Sequence, residues 1–526
     1  MHRQILGYLP ANVIPALISV ATIYVFTRLL PPAAFGLYTV GFNAVMFVQG
    51  AVFIALPLAV MRFLPAALRD GTQAALLSTA WADFALVCAP LAGAGLGLLL
   101  VLPMDPDIRA ILLVALPALA LRAVVAMSQA QARACNAVLR YGVVECLQSS
   151  AGFAAGVALI LWRGPAGMNA VLGVLVGAAL AAAAGAPATL RLMRGSAATA
   201  RPGLRHELRA FTLPLAGSYV VIFLLQYADR FLLDMFAGAG VLGVYAVAFS
   251  LVERPTTLLC QLISTATFPM AVRALEHEGA AAARTQNGHN GAALLGLALP
   301  ACIGLALCAD QIAAVLAGPA YRGGVASLIP PLAVAALLRN IAAHYLDHSF
   351  HLLRRSDLLL AIYAPASAGN IALDMVLIPR FGMMGAAYAS LIALSSACFA
   401  GIVIGHRQFG LWLPAGRIAR ILVASLIMAA VLMLFHPSPG AAGLLAKIAA
   451  GAGTYAAMAA ALDIGGIHAL VRRARPLPKP VNERGTRPEL PACEGTLHMP
   501  GSQGRAPAVP LRLRSASPPG PQTLLP

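Results

Sequence analysis

The sequence has very little charge and almost no lysine. Aspartate, glutamate, lysine and arginine together make up 10% of the 526 residues, against about 25% in a typical soluble domain. Lys447 and Lys479 are the two lysines, so arginine carries nearly all of the positive charge. With 60% hydrophobic residues and a mean hydropathy of +0.82, this composition excludes a soluble enzyme and indicates an integral membrane protein.

The usual signatures of metal, disulfide and nucleotide sites are also missing. The eight cysteines form no CxxC pair and lie mostly in apolar runs, which argues against a disulfide framework or a zinc site. His344, His348 and His351 have a helical spacing that suits a metal, but a place near a helix end favours interfacial histidines. Neither lysine follows a glycine, as a P-loop requires, so ATP hydrolysis is excluded. We therefore expect no metal and no cofactor.

Apolar runs long enough to span a bilayer recur almost to the end of the chain. They predict an all-α integral membrane protein with about fourteen membrane helices. The predicted bounds are 9–27, 36–61, 76–102, 109–132, 143–162, 168–190, 211–236, 241–270, 291–317, 325–352, 358–379, 383–405, 418–436 and 444–470.

The distribution of arginine predicts the orientation. If the amino terminus is cytoplasmic, seventeen arginines lie in cytoplasmic segments before residue 472, whereas six basic residues lie on the opposite side. Such an excess marks the cytoplasmic face of a membrane protein. Both termini are therefore predicted in the cytoplasm, and the net charge of +17 needs no nucleic-acid partner.

The chain repeats itself at a spacing of slightly more than 200 residues. The matching segments are GLYTVGF (36–42) and GVYAVAF (243–249), Leu-Arg at 121–122 and 338–339, and Gly-Met at 167–168 and 382–383. Their separations are 207, 217 and 215 residues. Three matches in the same order predict two pseudo-symmetric six-helix lobes, and parallel repeats of this kind frame a central site near the membrane midplane.

The domain organisation follows from the repeat and from composition. We predict an N-terminal lobe (1–200), a C-terminal lobe (201–410), two additional membrane helices (411–471) and a cytoplasmic tail (472–526). The tail is rich in proline and arginine with little apolar periodicity, which is typical of disorder.

Three stretches resemble a known transporter family. They are YVFTRLLPPAAFGLYTVGF, ADRFLLDMFAGAGVLGVYAVAFSL and NIALDMVLIPRFGMMGAAYASLIA. They are similar to the polysaccharide-transporter (Wzx-type flippase) branch of the multidrug/oligosaccharidyl-lipid/polysaccharide exporter superfamily, over about residues 5–470. The resemblance implies two lobes around a V-shaped cavity with two optional helices. It also implies a bacterial inner-membrane flippase for an oligosaccharide carried on polyprenyl pyrophosphate, acting in O-antigen, capsule or exopolysaccharide synthesis.

The stretch QYADRFLLDMF (226–236) places Asp229, Arg230 and Asp234 between apolar runs. Charges at membrane depth are costly unless they face a partner or water. Arg230 and Asp234 are four residues apart and can pair on one helix face, whereas Asp229 has no partner in its own helix.

Five arginines inside the helices are candidate substrate-binding residues. Counted along the helices at 1.5 Å per residue, they form an outer tier and a mid-bilayer tier. The outer tier is Arg28 and Arg230, and the second tier is Arg122, Arg254 and Arg339. Because the guanidinium group binds phosphate oxygens bidentately, we interpret them as a cationic path for the pyrophosphate implied by the resemblance.

Few acidic residues lie deep enough to neutralise these arginines. We predict charge pairing or ion coupling for Asp229, Asp234, Glu253 and Asp374. The alternative is that all of these charges only cross-link the two lobes.

Taken together, these features favour a transporter that works by alternating access rather than an enzyme. Its expected partners are a polyprenyl-pyrophosphate-linked glycan, membrane lipids and other membrane proteins of polysaccharide assembly. One alternative is a cation-coupled multidrug exporter of the same superfamily, whose site should be net acidic. A polytopic glycosyltransferase or polymerase is the other. It would use Asp105 and Asp107 in an outer loop, yet capping of a helix that begins at Pro106 explains both residues.

Overall fold

α-Helices form almost the whole of the computed structural model, which describes residues 2–194, 203–353 and 355–464. The helices are α1 (His2–Leu29), α2 (Pro32–Val48), α3 (Ala55–Arg69), α4 (Gln73–Val101), α5 (Pro106–Ala134), α6 (Val138–Arg163), α7 (Gly167–Met193), α8 (Leu204–Ala237), α9 (Ala239–Glu278), α10 (Ala280–Leu307), α11 (Ala309–Leu316), α12 (Arg322–Ile341), α13 (Asp347–Leu352), α14 (Ser356–Phe381), α15 (Met383–Phe409), α16 (Ala415–Leu434) and α17 (Ala441–Ala461). π-Helical turns at Gln49–Phe53 and Ala342–Leu346 join α2 to α3 and α12 to α13. Within the described residues there is no strand, so the predicted all-α fold is confirmed.

Within the described residues, each predicted span falls mostly on helical residues; the end of the last one, 444–470, lies beyond residue 464 and outside the described part of the chain. In the described part of the chain, twelve helices are long and apolar enough to cross a membrane. Helix α8 makes a thirteenth if its parts Leu204–Val221 and Gln226–Ala237, bent by 45°, form one span. The first predicted span, 9–27, overlaps a shorter apolar helix, Val13–Leu29. The structure thus supports twelve or thirteen spans by length and composition, against the fourteen predicted.

Two connections between helices depend on local residue types, a capping aspartate and a glycine. Asp105 caps α5, where its Oδ1 accepts hydrogen bonds from the backbone N–H of Asp107 (2.8 Å) and of Ile108 (3.3 Å), and Pro106 occupies the first turn. The capping interpretation of this acidic loop is therefore confirmed. Gly238, with φ of 85°, lets the chain pass from α8 to α9 in one residue. Residues with a Cβ atom rarely adopt such a positive φ.

The helices pack in two sequential groups. In the first, α6 lies along α7 and α1, while α5 lies against α3 and α7. In the second, α9 lies along α10 and α12, and α14 lies along α15 and α8. Helices α16 and α17 pair with each other against α10. The predicted domain boundary near 410 falls between α15 and α16; the boundary near 200 and the tail from 472 lie outside the described residues.

The two GxYxVxF repeats contact each other where α2 and α9 begin. A Cβ on Gly36 would overlap the carbonyl oxygen of Ala239, and a Cβ on Gly243 would overlap the carbonyl oxygen of Pro32. Since Gly243 and Ala239 follow Gly36 and Pro32 by the same 207 residues, the two contacts are reciprocal. We call this close contact the glycine seam. It joins the two groups at the end of the bundle where α1 passes into α2.

Helix α8 joins the groups near the other end, where α3 passes into α4. Asp83 of α4 is buried, and its Oδ1 accepts hydrogen bonds from Arg205 Nε (3.0 Å) and Arg209 Nη2 (2.9 Å) at the start of α8. Beside this Asp83 clasp, the ring of Phe211 lies under the Arg62 guanidinium, with 4.8 Å between the guanidinium carbon and the ring centroid. Leu208 is buried in the core that α3, α4 and α5 share.

Candidate functional site

A cavity of about 400 Å³ lies between the two groups of helices. Side chains of α1, α2, α5, α6 and α7 line it on one side, and side chains of α8 and α9 line it on the other. Towards the glycine seam its wall is formed by Phe26, Phe35 and Tyr38; Glu145 and Arg254 lie farther along it. It is therefore enclosed by both sequence repeats.

The charged lining of this cavity is more basic than acidic. Arg122, Arg230 and Arg254 line it together with Glu145 and Glu253. Three of the five predicted arginines are thus brought together although they lie on three different helices.

Arg230 is neutralised within its own stretch. Its Nη1 lies 3.7 Å from Asp229 Oδ1, and both side chains are buried. The guanidinium also lies over the rings of Tyr227 (4.9 Å) and Phe249 (4.1 Å), measured to the ring centroids. The prediction that Arg230 pairs with Asp234 is therefore wrong, because the Arg230 side chain runs the other way along α8, where its Nη1 donates a hydrogen bond to the carbonyl oxygen of Gln226, and it also lies over the ring of Phe249 in α9.

Asp229 has a partner on the neighbouring helix. The hydroxyl of Tyr245 in α9 donates a hydrogen bond to its Oδ2 at 2.8 Å. Tyr245 is the third residue of the second GxYxVxF motif and is fully buried. The prediction that Asp229 has no partner in its own helix is therefore wrong, because Arg230 of α8 lies 3.7 Å away and Tyr245 of α9 donates a hydrogen bond to it.

Arg122 is held by neutral acceptors. Its Nε donates to the side-chain oxygen of Gln49 (3.1 Å), and its Nη2 lies 3.7 Å from the sulfur of Met46. The ring of Phe42 lies 5.9 Å from the guanidinium carbon. Within the described residues, Arg122 has no carboxylate at ion-pair distance.

Arg254 is the second lining arginine without an ion pair in the described part of the chain. It lies one residue after Glu253 in α9, and its side chain is exposed to the cavity. The remaining lining carboxylate, Glu145, accepts a hydrogen bond from the amide of Gln129.

Arg339 lies outside this cavity and is neutralised. Its Nη1 is 2.7 Å from Glu253 Oε2, and its guanidinium carbon lies 5.1 Å from the centroid of the Phe249 ring. Arg339 lines a second, smaller cavity of about 210 Å³, together with Asp347, Tyr363 and Asn370. Arg339 and Arg230 thus both lie over the ring of Phe249.

Arg28 also lies outside the lining of the central cavity. It donates hydrogen bonds to the carbonyl oxygens of Tyr24 (2.8 Å) and Val315 (2.9 Å). The second contact ties the end of α1 to the end of α11, where carbonyl groups lack helical partners. This geometry gives Arg28 a helix-capping contact rather than a place in the central site.

The remaining predicted acidic residues differ in their surroundings. Asp374 in α14 is fully buried, and neither carboxylate oxygen has a hydrogen-bond partner in the described part of the chain. Asn370, one helical turn earlier, is buried with its amide likewise unpartnered there. Asp234 near the end of α8 is half-buried.

Sequence reasoning missed the aromatic rings and the neutral partners of Arg122. Phe42 and Phe249 are the last residues of the two GxYxVxF motifs and line the cavity. The signal was present in the motif itself, because the two phenylalanines are equivalent positions of the repeat, 207 residues apart. Gln49 and Met46 carried no such signal.

The described residues contain no group of three histidine, cysteine, aspartate or glutamate side chains arranged to hold a metal ion. His348, from the predicted histidine series, has its Nε2 3.2 Å from the hydroxyl of Ser264 and its ring 4.2 Å from that of Phe268.

The sequence matches the model of one protein family. That family is described as polysaccharide biosynthesis protein, and the match covers residues 2–275. No curated protein matches the sequence.

Solved structures with a similar fold are membrane transporters. The chain is similar to the lipid II flippase MurJ in an inward closed conformation, with a TM-score of 0.70 and 15% identity over 89% of this chain and 100% of that one. It is similar to an inward-facing multidrug resistance MATE family transporter of the MOP superfamily, with a TM-score of 0.62 and 14% identity over 76% and 94% of the two chains. A MOP superfamily transporter from Pyrococcus furiosus, reported to have a binding pocket of reverse polarity, gives 0.55 and 14% over 76% and 95%. The fold is that of MOP-superfamily transporters.

Proposed function

The chain belongs to the polysaccharide biosynthesis protein family, and we propose that it is a flippase for a glycan carried on polyprenyl pyrophosphate. It would move this cargo across the bacterial inner membrane by alternating access, for the synthesis of O-antigen, capsule or exopolysaccharide. The observation that carries the proposal is the basic central cavity, in which Arg122 and Arg254 have no carboxylate partner within the described residues.

The chemistry of this cavity suits the head of such a cargo. Guanidinium groups bind phosphate oxygens through paired N–H donors, and such charge-assisted bonds are stronger than neutral ones. A volume of about 400 Å³ lies in the range of small-ligand sites, which is enough for a pyrophosphate and the first sugar. The polyprenyl tail would remain in the bilayer.

The two-lobe arrangement remains part of the proposal. We place the cytoplasm at the end of the bundle with the Asp83 clasp, because the connections at that end carry most of the arginines. The glycine seam then closes the cavity towards the outside, and the clasp closes it towards the cytoplasm. Alternating access would require each contact to open in turn.

The two rival functions fit less well. A multidrug exporter for organic cations would need a net acidic site, whereas the cavity has three lining arginines and two glutamates. A membrane glycosyltransferase would need free carboxylates, but Asp105 is occupied in capping α5.

The proposal is tested by removing one unpaired cation. Arg122→Ala should abolish flipping, because the headgroup loses its bidentate partner, while the protein remains at its normal level in the membrane. Lipid-linked glycan at the cytoplasmic face and an immunoblot of the membrane fraction measure the two quantities. Arg163→Ala is the matched control, since Arg163 is an exposed residue at the end of α6. Normal flipping by Arg122→Ala would refute the proposal.

We further propose that Asp229 and Asp374 couple transport to a cation gradient. Both carboxylates are buried, on helices α8 and α14 that pack together. Neither oxygen of Asp374 has a hydrogen-bond partner within the described residues, and such a carboxylate at membrane depth is costly without a cation or proton. Asp374→Asn should give stable protein whose transport no longer responds to an imposed sodium or proton gradient. Asp310→Asn, at an exposed position of α11, is the control. An unchanged gradient response in Asp374→Asn would contradict this coupling role.

A further inference from the structure

Arg122 and Arg339 occupy equivalent places in the two repeats. Arg122 lies over Phe42, and Arg339 lies over Phe249. The two phenylalanines are 207 residues apart, and the two arginines are 217 apart. The repeat has therefore produced two copies of one arrangement, an arginine from one helix above a ring from another.

The two copies differ in the acceptor one turn beyond the ring. In the second copy, Glu253 follows Phe249 by four residues and lies 2.7 Å from Arg339. In the first copy, the equivalent residue is Met46, which follows Phe42 by four residues and contacts Arg122 at 3.7 Å. A carboxylate neutralises a guanidinium group, whereas a thioether sulfur is a weak and uncharged acceptor.

The edge of Arg122 formed by Nε and Nη2 is the one that can hold two phosphate oxygens side by side. In the structure this edge is held by the amide oxygen of Gln49 and the sulfur of Met46. Both are neutral, so an anion forms stronger bonds with the same two donors and can replace them. The corresponding charge on Arg339 is already matched by Glu253.

We infer that Met46 is the specificity-determining residue that leaves Arg122, rather than its repeat counterpart Arg339, free to bind the phosphate group of the cargo. This inference rests on the proposed function. It assigns a role to a residue that touches the binding arginine and carries no charge. Glu253 has the opposite role, because it withdraws Arg339 from anion binding.

The test introduces a carboxylate at position 46, which is equivalent to Glu253 in the second repeat. Met46→Glu should weaken the binding of inorganic pyrophosphate to the purified full-length protein at least tenfold, since Arg122 acquires the partner that Arg339 has. Met46→Gln adds a polar acceptor of similar size without charge and should weaken binding less than threefold. Isothermal titration in lipid nanodiscs measures the affinity, and thermal unfolding checks that each variant is folded. Pyrophosphate affinity in Met46→Glu within threefold of wild type would overturn the inference.

Arg122→Ala separates this failure from failure of the proposed function. If Arg122→Ala binds pyrophosphate as wild type does, the proposed cationic site is wrong. If Arg122→Ala loses binding but Met46→Glu keeps it, only the role of Met46 is wrong.

A reciprocal variant covers the case in which Met46→Glu does not fold. Glu253→Gln removes the carboxylate from Arg339, so the double variant Arg122→Ala/Glu253→Gln should recover pyrophosphate binding relative to Arg122→Ala. The recovered binding should disappear when Arg339 is also replaced by alanine. No recovery in a folded double variant would overturn the inference.

Discussion

Arg230 lies over two aromatic rings and beside the carboxylate of Asp229. Arg122 lies against an amide and a thioether. The two arginines therefore differ in what a substitution would remove. Replacing Arg230 breaks a buried ion pair. Replacing Arg122 removes a cation that has only neutral partners.

Arg230→Ala should strongly destabilise the protein, because Asp229 remains buried with the hydroxyl of Tyr245 as its hydrogen-bond donor. Breaking a buried ion pair from one side costs about 3–5 kcal/mol. The expected result is a large drop in the thermal unfolding temperature and in membrane level. Arg230→Ala/Asp229→Asn should recover most of both, since it removes the stranded charge. A single variant as stable as the wild type would show that the pair does not contribute to stability.

At the scale of helices, contacts between the two groups lie near opposite ends of the bundle. The glycine seam depends on the absence of two Cβ atoms, and the Asp83 clasp depends on one carboxylate shared by two arginines. One contact is therefore steric and the other electrostatic, and each responds to a different kind of substitution.

Gly243→Ala should force α2 and α9 apart at the glycine seam, because the new methyl group would overlap the carbonyl oxygen of Pro32. Overpacking of this kind costs about 1–3 kcal/mol. Gly36→Ala should cost a similar amount, since the contacts are reciprocal. The unfolding temperature measures the effect, with Gly304→Ala as the control because its Cβ would meet nothing within 4 Å. Equal unfolding temperatures for Gly243→Ala and Gly304→Ala would contradict the seam.

Asp83→Asn should loosen the start of α8, because Arg205 and Arg209 lose the charge that both of them contact. The reporter is Thr212→Cys, which is buried in the native protein, in a background without other cysteines. Its alkylation by a water-soluble maleimide should become several-fold faster when Asp83→Asn is added. Glu207→Cys is exposed and should react at the same rate in both backgrounds. An unchanged rate at position 212 would show that the clasp does not hold this helix.

For the whole molecule, the order of the spans and the placement of arginine together predict which connections face the cytoplasm. Reporter fusions after residues 70 and 205 should lie in the cytoplasm, and fusions near 105, 165 and 322 should lie outside. The reason is the excess of arginine in connections at the α3–α4 end. Enzyme reporters active on one side of the membrane measure this directly. A reversed pattern would place the Asp83 clasp outside. Fusions at 105 and 205 that report the same side would mean that one predicted span between them does not cross the membrane.

The helical, membrane-spanning character of this protein was determined by the sequence alone. The cost of placing a segment in a bilayer is a sum over its own residues, so apolar runs predict helices without knowledge of their neighbours. The cap at Asp105 is equally local, because donor and acceptor are within three residues. The internal repeat, and with it the equivalence of Arg122 and Arg339, is also evident from the sequence, because it is a similarity between segments of the sequence itself.

Only the tertiary structure decided which charges meet. Arg230 was expected to follow the spacing of its own helix to Asp234, but rings from α8 and α9 and the adjacent Asp229 determine its direction. Arg28 was expected in the cavity and instead caps α11. The Arg339–Glu253 pair depends on a distance of a few ångströms between atoms on different helices, and sequence spacing carries no information on such a distance. The contrast between Met46 and Glu253 acquired its meaning when the fold brought each of them against an arginine.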